Sequence, residues 1–396
     1  MKLAGTPFHF SYCLNVHPGG ELADLLRVLE RDLPVIRDAL CEEGSFGLGL
    51  RLAHPAAEAL QSLDGLYALR SQMEALNLYA FTVNAFPYGL FHGARVKEKV
   101  YAPDWRTPER LVYTRQVFRA LAELLPEGIC GSVSTVPLAY GSGTFTEADQ
   151  ARFRRHLGDL AFELAAGEAE TGKTLHLGLE PEPDCLLETT AQTVHWFENE
   201  LFGKGAGELA FRKGISRDRA ETMLRHHIGV CFDTCHVAMV FEDPLEALRT
   251  YLRHGLRISK VQISAALECE AGPGAMRSLA AFDDGVYLHQ VKSACGRAWP
   301  DLPAFFGEPP APGERLRIHC HVPLHWPGGE MLGSTRHTLT PAFWQALHPS
   351  GCEHLEVETY TFDVLPRRLR GMSLTQNVIS ECTWAMASLR EHAALR

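Results

Sequence analysis

The chain predicts an α/β protein folded as a (β/α)8 TIM barrel. Three observations point there: short β-rich runs alternate with amphipathic helical stretches, polar residues end four of those runs, and no linker, charge block or internal repeat divides the 396 residues. The expected strands are residues 8–15, 46–52, 78–86, 129–138, 175–180, 228–233, 258–264 and 355–358. Helices are expected at 21–40, 55–76, 108–125, 147–170 and 244–254, where apolar residues recur at three- and four-residue steps. A ninth run, 316–322 (LRIHCHV), exceeds the eight that a barrel needs. It is placed with the Gly-, Pro- and Ala-rich segment 268–313 as an elaborated loop after strand seven. Residues 1–396 are thus expected to form one barrel domain, a length that such barrels reach with insertions. A doubly wound open sheet is the alternative, but no Gly-rich dinucleotide fingerprint follows the first strand.

Composition narrows the class. Hydrophobic residues make up 46% and charged residues 22%, enough apolar material for a large core. The formal net charge is −10, with no Lys/Arg run of the kind that neutralises a phosphate backbone, so no nucleic-acid partner is expected. The eleven Cys lack the paired spacing of a disulfide framework or a zinc ribbon, which fits a reducing cytoplasm. No apolar stretch nears the roughly 20 residues of a membrane span, so no membrane insertion is expected. The oligomeric state has no signature in the sequence.

Reactive groups of (β/α)8 barrels gather at the C-terminal ends of the strands. Strand five runs Leu175-His-Leu-Gly-Leu-Glu180-Pro-Glu182, strand six Val230-Cys-Phe-Asp233-Thr-Cys-His236, strand seven Val261-Gln262-Ile-Ser264 and strand eight Leu355-Glu356-Val-Glu358-Thr359. Glu180, Asp233, Gln262 and Glu358 should therefore converge. Three carboxylates at an apolar mouth repel one another unless a cation neutralises them. Oxygen ligation suits Mg or Mn, and nearby His would tilt the choice to Mn, Co or Zn. Glu182 is a weaker candidate, and Glu356, lower on its strand, reads as a supporting or core-paired residue.

The run Asp233-Thr234-Cys235-His236 resembles the Asp-Thr-x-His strand end of the xylose isomerase-like and endonuclease IV superfamily. Gly178-Leu-Glu180-Pro, Val261-Gln262-Ile and Glu358-Thr359 are similar to its Glu-, Gln- and closing Glu-bearing strands, in the same order across roughly the C-terminal half. The resemblance implies that these four residues bind one divalent metal ion and that His236 contacts substrate or a second metal. A narrower likeness spans nearly the whole chain: Tyr12-Cys-Leu-Asn-Val-His17-Pro, Asn84-Ala-Phe-Pro-Tyr-Gly-Leu-Phe-His92, Val100-Tyr-Ala-Pro-Asp-Trp105 and His319-Cys-His321-Val-Pro resemble the EboE proteins of metabolite traffic. That implies a pathway of biosynthesis or export rather than a reaction.

His17 and His92 follow strands one and three in loops expected to face the mouth. His319 and His321 alternate on a strand-like run and share a face, so both are candidates for a second metal or for substrate. Core packing competes for every one of these, since a chain with 19 His places some near any site by chance. The aromatics Phe86, Tyr88, Phe91, Trp105 and Trp326 hint at a ring-bearing ligand, although packing accounts for them equally.

Three functions follow. The first is isomerisation or epimerisation of a small polyhydroxylated metabolite, with Glu180 and Glu358 exchanging a proton and His236 assisting. The second is phosphoester hydrolysis of endonuclease IV type, with the His residues completing a metal cluster. In the third, the barrel binds a metabolite without turning it over.

Overall fold

A computed structural model describes residues 1–93, 95–141, 143, 145–366 and 369–392. Seven parallel strands come first: β1 His9–Tyr12, β2 Phe46–Arg51, β3 Leu78–Asn84, β4 Gly131–Thr135, β5 Leu175–Leu179, β6 Ile228–Asp233 and β7 Ile258–Ile263. Five strands of a second sheet follow: β8 Ala266–Glu270, β9 Val291–Ser293, β10 Ala298–Trp299, β11 Arg315–His321 and β12 Gly333–Ser334. The last, β13 His354–Val357, returns to the first sheet.

The eight-stranded sheet has the order β1-β13-β7-β6-β5-β4-β3-β2, and neighbouring strands in it pair in parallel. It closes where Cys13 bridges Gly49 and where Gly49 N–H donates to Ser11 Oγ at 3.1 Å. Gly49 is required there, because a Cβ would sit 1.9 Å from Glu356 Oε1. The strands are buried on both faces, as a parallel sheet wrapped in helices must be.

Two helices expected as single runs are broken. Residues 21–40 split into Leu22–Arg31 and Leu33–Leu40, because Pro34 supplies no N–H and its ring obstructs the preceding turn. Residues 55–76 split into His54–Ala59 and Leu63–Ala75, the second capped by Ser62 Oγ accepting from Gly65 N–H at 3.1 Å. The helix Glu147–Thr171 begins in a capping box of Thr146 and Asp149 and stops at Gly172, whose φ of 72° ends it. Four further helical segments cross from β5 to β6: Thr190–Trp196, Phe197–Gly205, Ala206–Lys213 and Arg217–His227.

The segment 268–313, expected as a loop, instead holds strands and helices of the second sheet. Its antiparallel order is β10-β9-β11-β8-β12. The reason is local pairing: β11 lies between β8 and β9, so the ninth run has hydrogen-bonded neighbours on both sides. The insertion starts three residues after β7, at Ala266, and carries β11 back over the barrel. No helix among the described residues is long and apolar enough to cross a membrane, and all eleven Cys are free thiols.

Candidate functional site

The C-terminal mouth of the barrel opens into a pocket lined by Glu180, Glu182, His236, His319, His321 and Glu358, with Asn15, Asn84 and several aromatics. Glu180, Asp233 and Glu358 are carried to this end of the barrel by strand ends, Asp233 standing outside the lining of the pocket itself. Glu180 follows β5 and donates its N–H to Thr135 O at 3.1 Å. Asp233 closes β6 and caps the short helix Thr234–Met239, its Oδ1 accepting from His236 N–H at 3.1 Å and from Ser264 Oγ at 2.7 Å. Glu358 follows β13, and its Oε1 accepts from Asn15 Nδ2 at 2.5 Å and Asn84 Nδ2 at 3.4 Å.

In each of these carboxylates the second oxygen is buried without a partner among the described residues: Glu180 Oε2, Asp233 Oδ2 and Glu358 Oε2. Burial, then neighbouring carboxylate charge, holds Glu180 and Glu358 well above the usual carboxylate range. Four buried acids, Glu182 included, have few counter-charges nearby, so a cation is the economical solution.

The imidazoles are set up for the same purpose. His236 Nδ1 donates to Pro181 O at 3.1 Å, His319 Nδ1 to Gln290 Oε1 at 2.8 Å and His321 Nδ1 to Glu358 O at 2.9 Å. Acceptors at all three Nδ1 atoms fix the tautomer that leaves Nε2 with its lone pair. Nε2 of His319 and of His321 is buried and unpartnered. Ring centroids of His236 lie 4.9 Å from His319 and 5.6 Å from His321. Burial lowers all three, His236 to about 4, which disfavours the charged imidazolium. Ligand atoms of Asp233, His236 and His321, and likewise of Glu182, His236 and His319, fall within 4.8 Å of one another. This donor set fits a divalent ion, with histidines oriented through their second nitrogen as metal-binding ones are.

Gln262 sits beside Asp233 in the strand register. Its Oε1 accepts from Cys231 Sγ at 2.9 Å while Nε2 is buried without a partner. Turning the amide over would give the thiol sulfur a donor and leave Oε1 as the free atom. Glu356 lies below the site, its Oε2 2.6 Å from Lys260 Nζ, both residues fully buried.

His17 and His92 are placed elsewhere. His17 borders a separate cleft with Pro18, Gly19 and Arg51, its Nε2 2.9 Å from Tyr12 OH. His92 uses both ring nitrogens, on Asn15 O and on Tyr287 OH, so it braces the loop that carries Asn15. Contrary to the expectation that both face the mouth, neither lines its pocket, and His17 Nδ1 has no hydrogen-bond partner among the described residues. Among the aromatics, Phe86 and Phe91 line the pocket with Tyr101, Tyr287 and Tyr360. Trp105 is buried in the core and Tyr88 stacks on His54.

Several functional neighbours went unread in the sequence. Asn15 lies in the short helical turn after β1 and Asn84 ends β3, and each meets Glu358 across 343 and 274 positions of sequence respectively. Tyr101, whose OH donates to Glu182 Oε1 at 2.8 Å, and Gln290, which orients His319, lie in long connections without a strand-end signal.

No family model matches the chain, and no curated protein matches it in sequence. Among solved structures, the IolI protein with a binding zinc atom aligns over 98% of this chain and 100% of its own, with 14% identity and a TM-score of 0.50. The chain shares the (β/α)8 barrel fold of that protein. A 3-keto-D-glucoside 4-epimerase, YcjR, from E. coli aligns over 96% of this chain and 99% of its own at 12% identity and a TM-score of 0.44. A xylose isomerase domain containing protein from Salmonella typhimurium aligns over 97% of each chain at 11% identity and 0.41. Two of the mouth imidazoles of this barrel, His319 and His321, come from the inserted sheet.

Proposed function

We propose that the mouth binds a divalent ion on Glu180, Asp233, Gln262 and Glu358 and isomerises or epimerises a small polyhydroxylated carbonyl compound. The observation that carries this reading is the set of buried, partnerless carboxylate oxygens on Glu180, Asp233 and Glu358 beside neutral imidazoles. Mixed oxygen and imidazole donors favour Mn, Co or Zn over Mg, and the zinc in the IolI structure supports the same class of ion. Bound there, the ion supplies Lewis-acid stabilisation of charge on two neighbouring substrate oxygens.

The chain's own residues do the rest. Glu180 and Glu358 rise from β5 and β13, three places apart around the barrel, so one takes the proton from carbon and the other returns it. Asn15 and Asn84 hold Glu358 in position for that exchange. His236 donates from Nδ1 to the protein and offers Nε2 to a substrate oxygen. Phe86, Phe91, Tyr287 and Tyr360 form a wall for a less polar or ring-bearing end of the compound. With the EboE likeness, the compound is a small metabolite of a biosynthetic or export pathway.

The test is carbon-bound hydrogen exchange. Wild-type protein loaded with Mn, Co or Zn should move deuterium from heavy water into aldoses or ketoses next to the carbonyl. Glu180→Gln and Glu358→Gln should not, with unchanged circular dichroism. Binding without any exchange would sink the reading and leave a carrier.

A second reading, metal-dependent phosphoester hydrolysis, is favoured by the three imidazoles and Glu182, which give donors for more than one ion. Metal content of the wild type minus that of a Glu180→Gln, Asp233→Asn variant counts the ions at the mouth. One fits the isomerase; two or three fit the hydrolase.

A further inference from the structure

The lower interior of a (β/α)8 barrel is ordinarily filled by branched apolar side chains. Here it is polar. Ser132 on β4 and His176 on β5 are register neighbours, and His354 opens β13 beside His9 of β1. Ser132, His176 and His354 are each no more than 2% exposed. His354 Nδ1 and Ser132 Oγ are hydrogen-bonded at 2.8 Å, and that hydroxyl bonds Thr82 Oγ1 at 2.7 Å. His354 Nε2 lies 3.6 Å from Cys130 Sγ. Cys130 Sγ lies 3.4 Å from Glu353 Oε2. His176 Nδ1 is buried with no hydrogen-bond partner, and ligand atoms of Cys130, His176 and His354 lie within 4.8 Å of one another.

These spacings match a coordination shell. Tetrahedral zinc, with metal–sulfur bonds near 2.3 Å and metal–nitrogen or metal–oxygen bonds near 2.1 Å, sets sulfur about 3.6 Å from each neighbouring donor. Hydrogen bonding alone explains the cluster less well, since it leaves His176 Nδ1 unsatisfied in a layer where such burial is costly. The cluster also has an entry path: Cys130, His176 and Glu353 line a surface cleft bordered by Gly128, Gly172 and Gly351. Arg257 and His226 share that cleft, so an incoming cation has to be matched by negative charge from its own ligands.

We propose that Cys130, His176, His354 and Glu353 form a zinc-type metal site at the N-terminal end of the barrel, separate from the mouth. Binding replaces the Sγ–H proton of Cys130, which leaves to solvent through the cleft, so thiolate and Glu353 carboxylate together balance a divalent charge. Ser132 supports the site from behind by fixing the His354 ring.

Cobalt(II) is the probe, because thiolate ligation gives a near-ultraviolet charge-transfer band that carboxylate and imidazole ligands do not. Metal-free full-length protein titrated with cobalt should develop this band. Cys235→Ser, which removes the thiol grouped with His319 and His321, and Asp233→Asn at the mouth should both retain it. Cys130→Ser should lose it, and Ser132→Ala should weaken cobalt binding about 10–100-fold, as loss of a supporting hydrogen bond does. A wild type without the band, or a band lost in Cys235→Ser and kept in Cys130→Ser, would overturn the assignment. Because Asp233→Asn disables only the mouth, failure here and failure of the isomerase reading are read separately.

Discussion

Glu358 ties several parts of the molecule together through one residue. Its N–H donates to Ile263 O, its carbonyl accepts from His321, and its Oε1 accepts from Asn15 and Asn84, which leaves Oε2 alone facing the mouth. Glu358→Gln keeps the shape and removes the exchangeable charge, so kcat should fall about 10²–10⁴-fold, the range for a positioned proton-transfer group. Steady-state kinetics on the compound identified by deuterium exchange, with a melting curve as control, checks this. A second residue gives a pH dependence. Burial lowers His227 from 6.5 to about 4. The unfolded chain therefore takes up that proton first, so this group's stability is complete above 6.5 and is lost as pH falls toward 4. His227→Asn preserves a donor to Leu175 O without the titration. Its denaturation midpoint should fall less than that of the wild type between about pH 7 and 5. At this scale Glu180, Asp233 and Glu358 were legible because strand ends announce themselves locally. The placing of His92 was not, since its partner Tyr287 lies 195 positions away in sequence.

Among the elements, β11 departs most from its expected place. The alternation of His319 and His321 holds only in part, because the β8 register shifts between Ile318 and His321. Such irregularities re-aim side chains beside sites, and here both rings stay together, with centroids 5.6 Å apart. Gln290, just before β9, fixes the His319 ring from the neighbouring inserted strand. Gln290→Leu should therefore weaken mouth metal about 10–100-fold with little loss of secondary structure. Competition with a chromophoric chelator in a Cys130→Ser background measures it. The barrel strands were readable from apolar runs bounded by turn residues. The helix breaks at Asp32 and Ser62 were not, because amphipathic spacing continues across them and only Pro34 marked the first.

The whole molecule is organised around a barrel interior that is charged at its middle. Lys260 and Glu356 pair at 2.6 Å with no solvent access, and the close approach of Gly49 makes room for Glu356. Removing one partner strands the other, so Lys260→Met should cost about 3–5 kcal/mol in urea denaturation. Lys260→Met combined with Glu356→Leu should return much of that loss, because the double change leaves no lone buried charge. The sequence by itself determined the parallel barrel, the strand ends and their acids, since apolar periodicity and terminal polar residues are properties of short segments. Only the tertiary structure decided that Glu182, Asn15, Asn84 and Gln290 join the mouth, that the insertion is a sheet, and that Cys130, His176 and His354 meet at the opposite end. Those convergences depend on barrel closure and on the path of the inserted strands, which bring together residues separated by up to 343 positions, and no local pattern encodes such a distance.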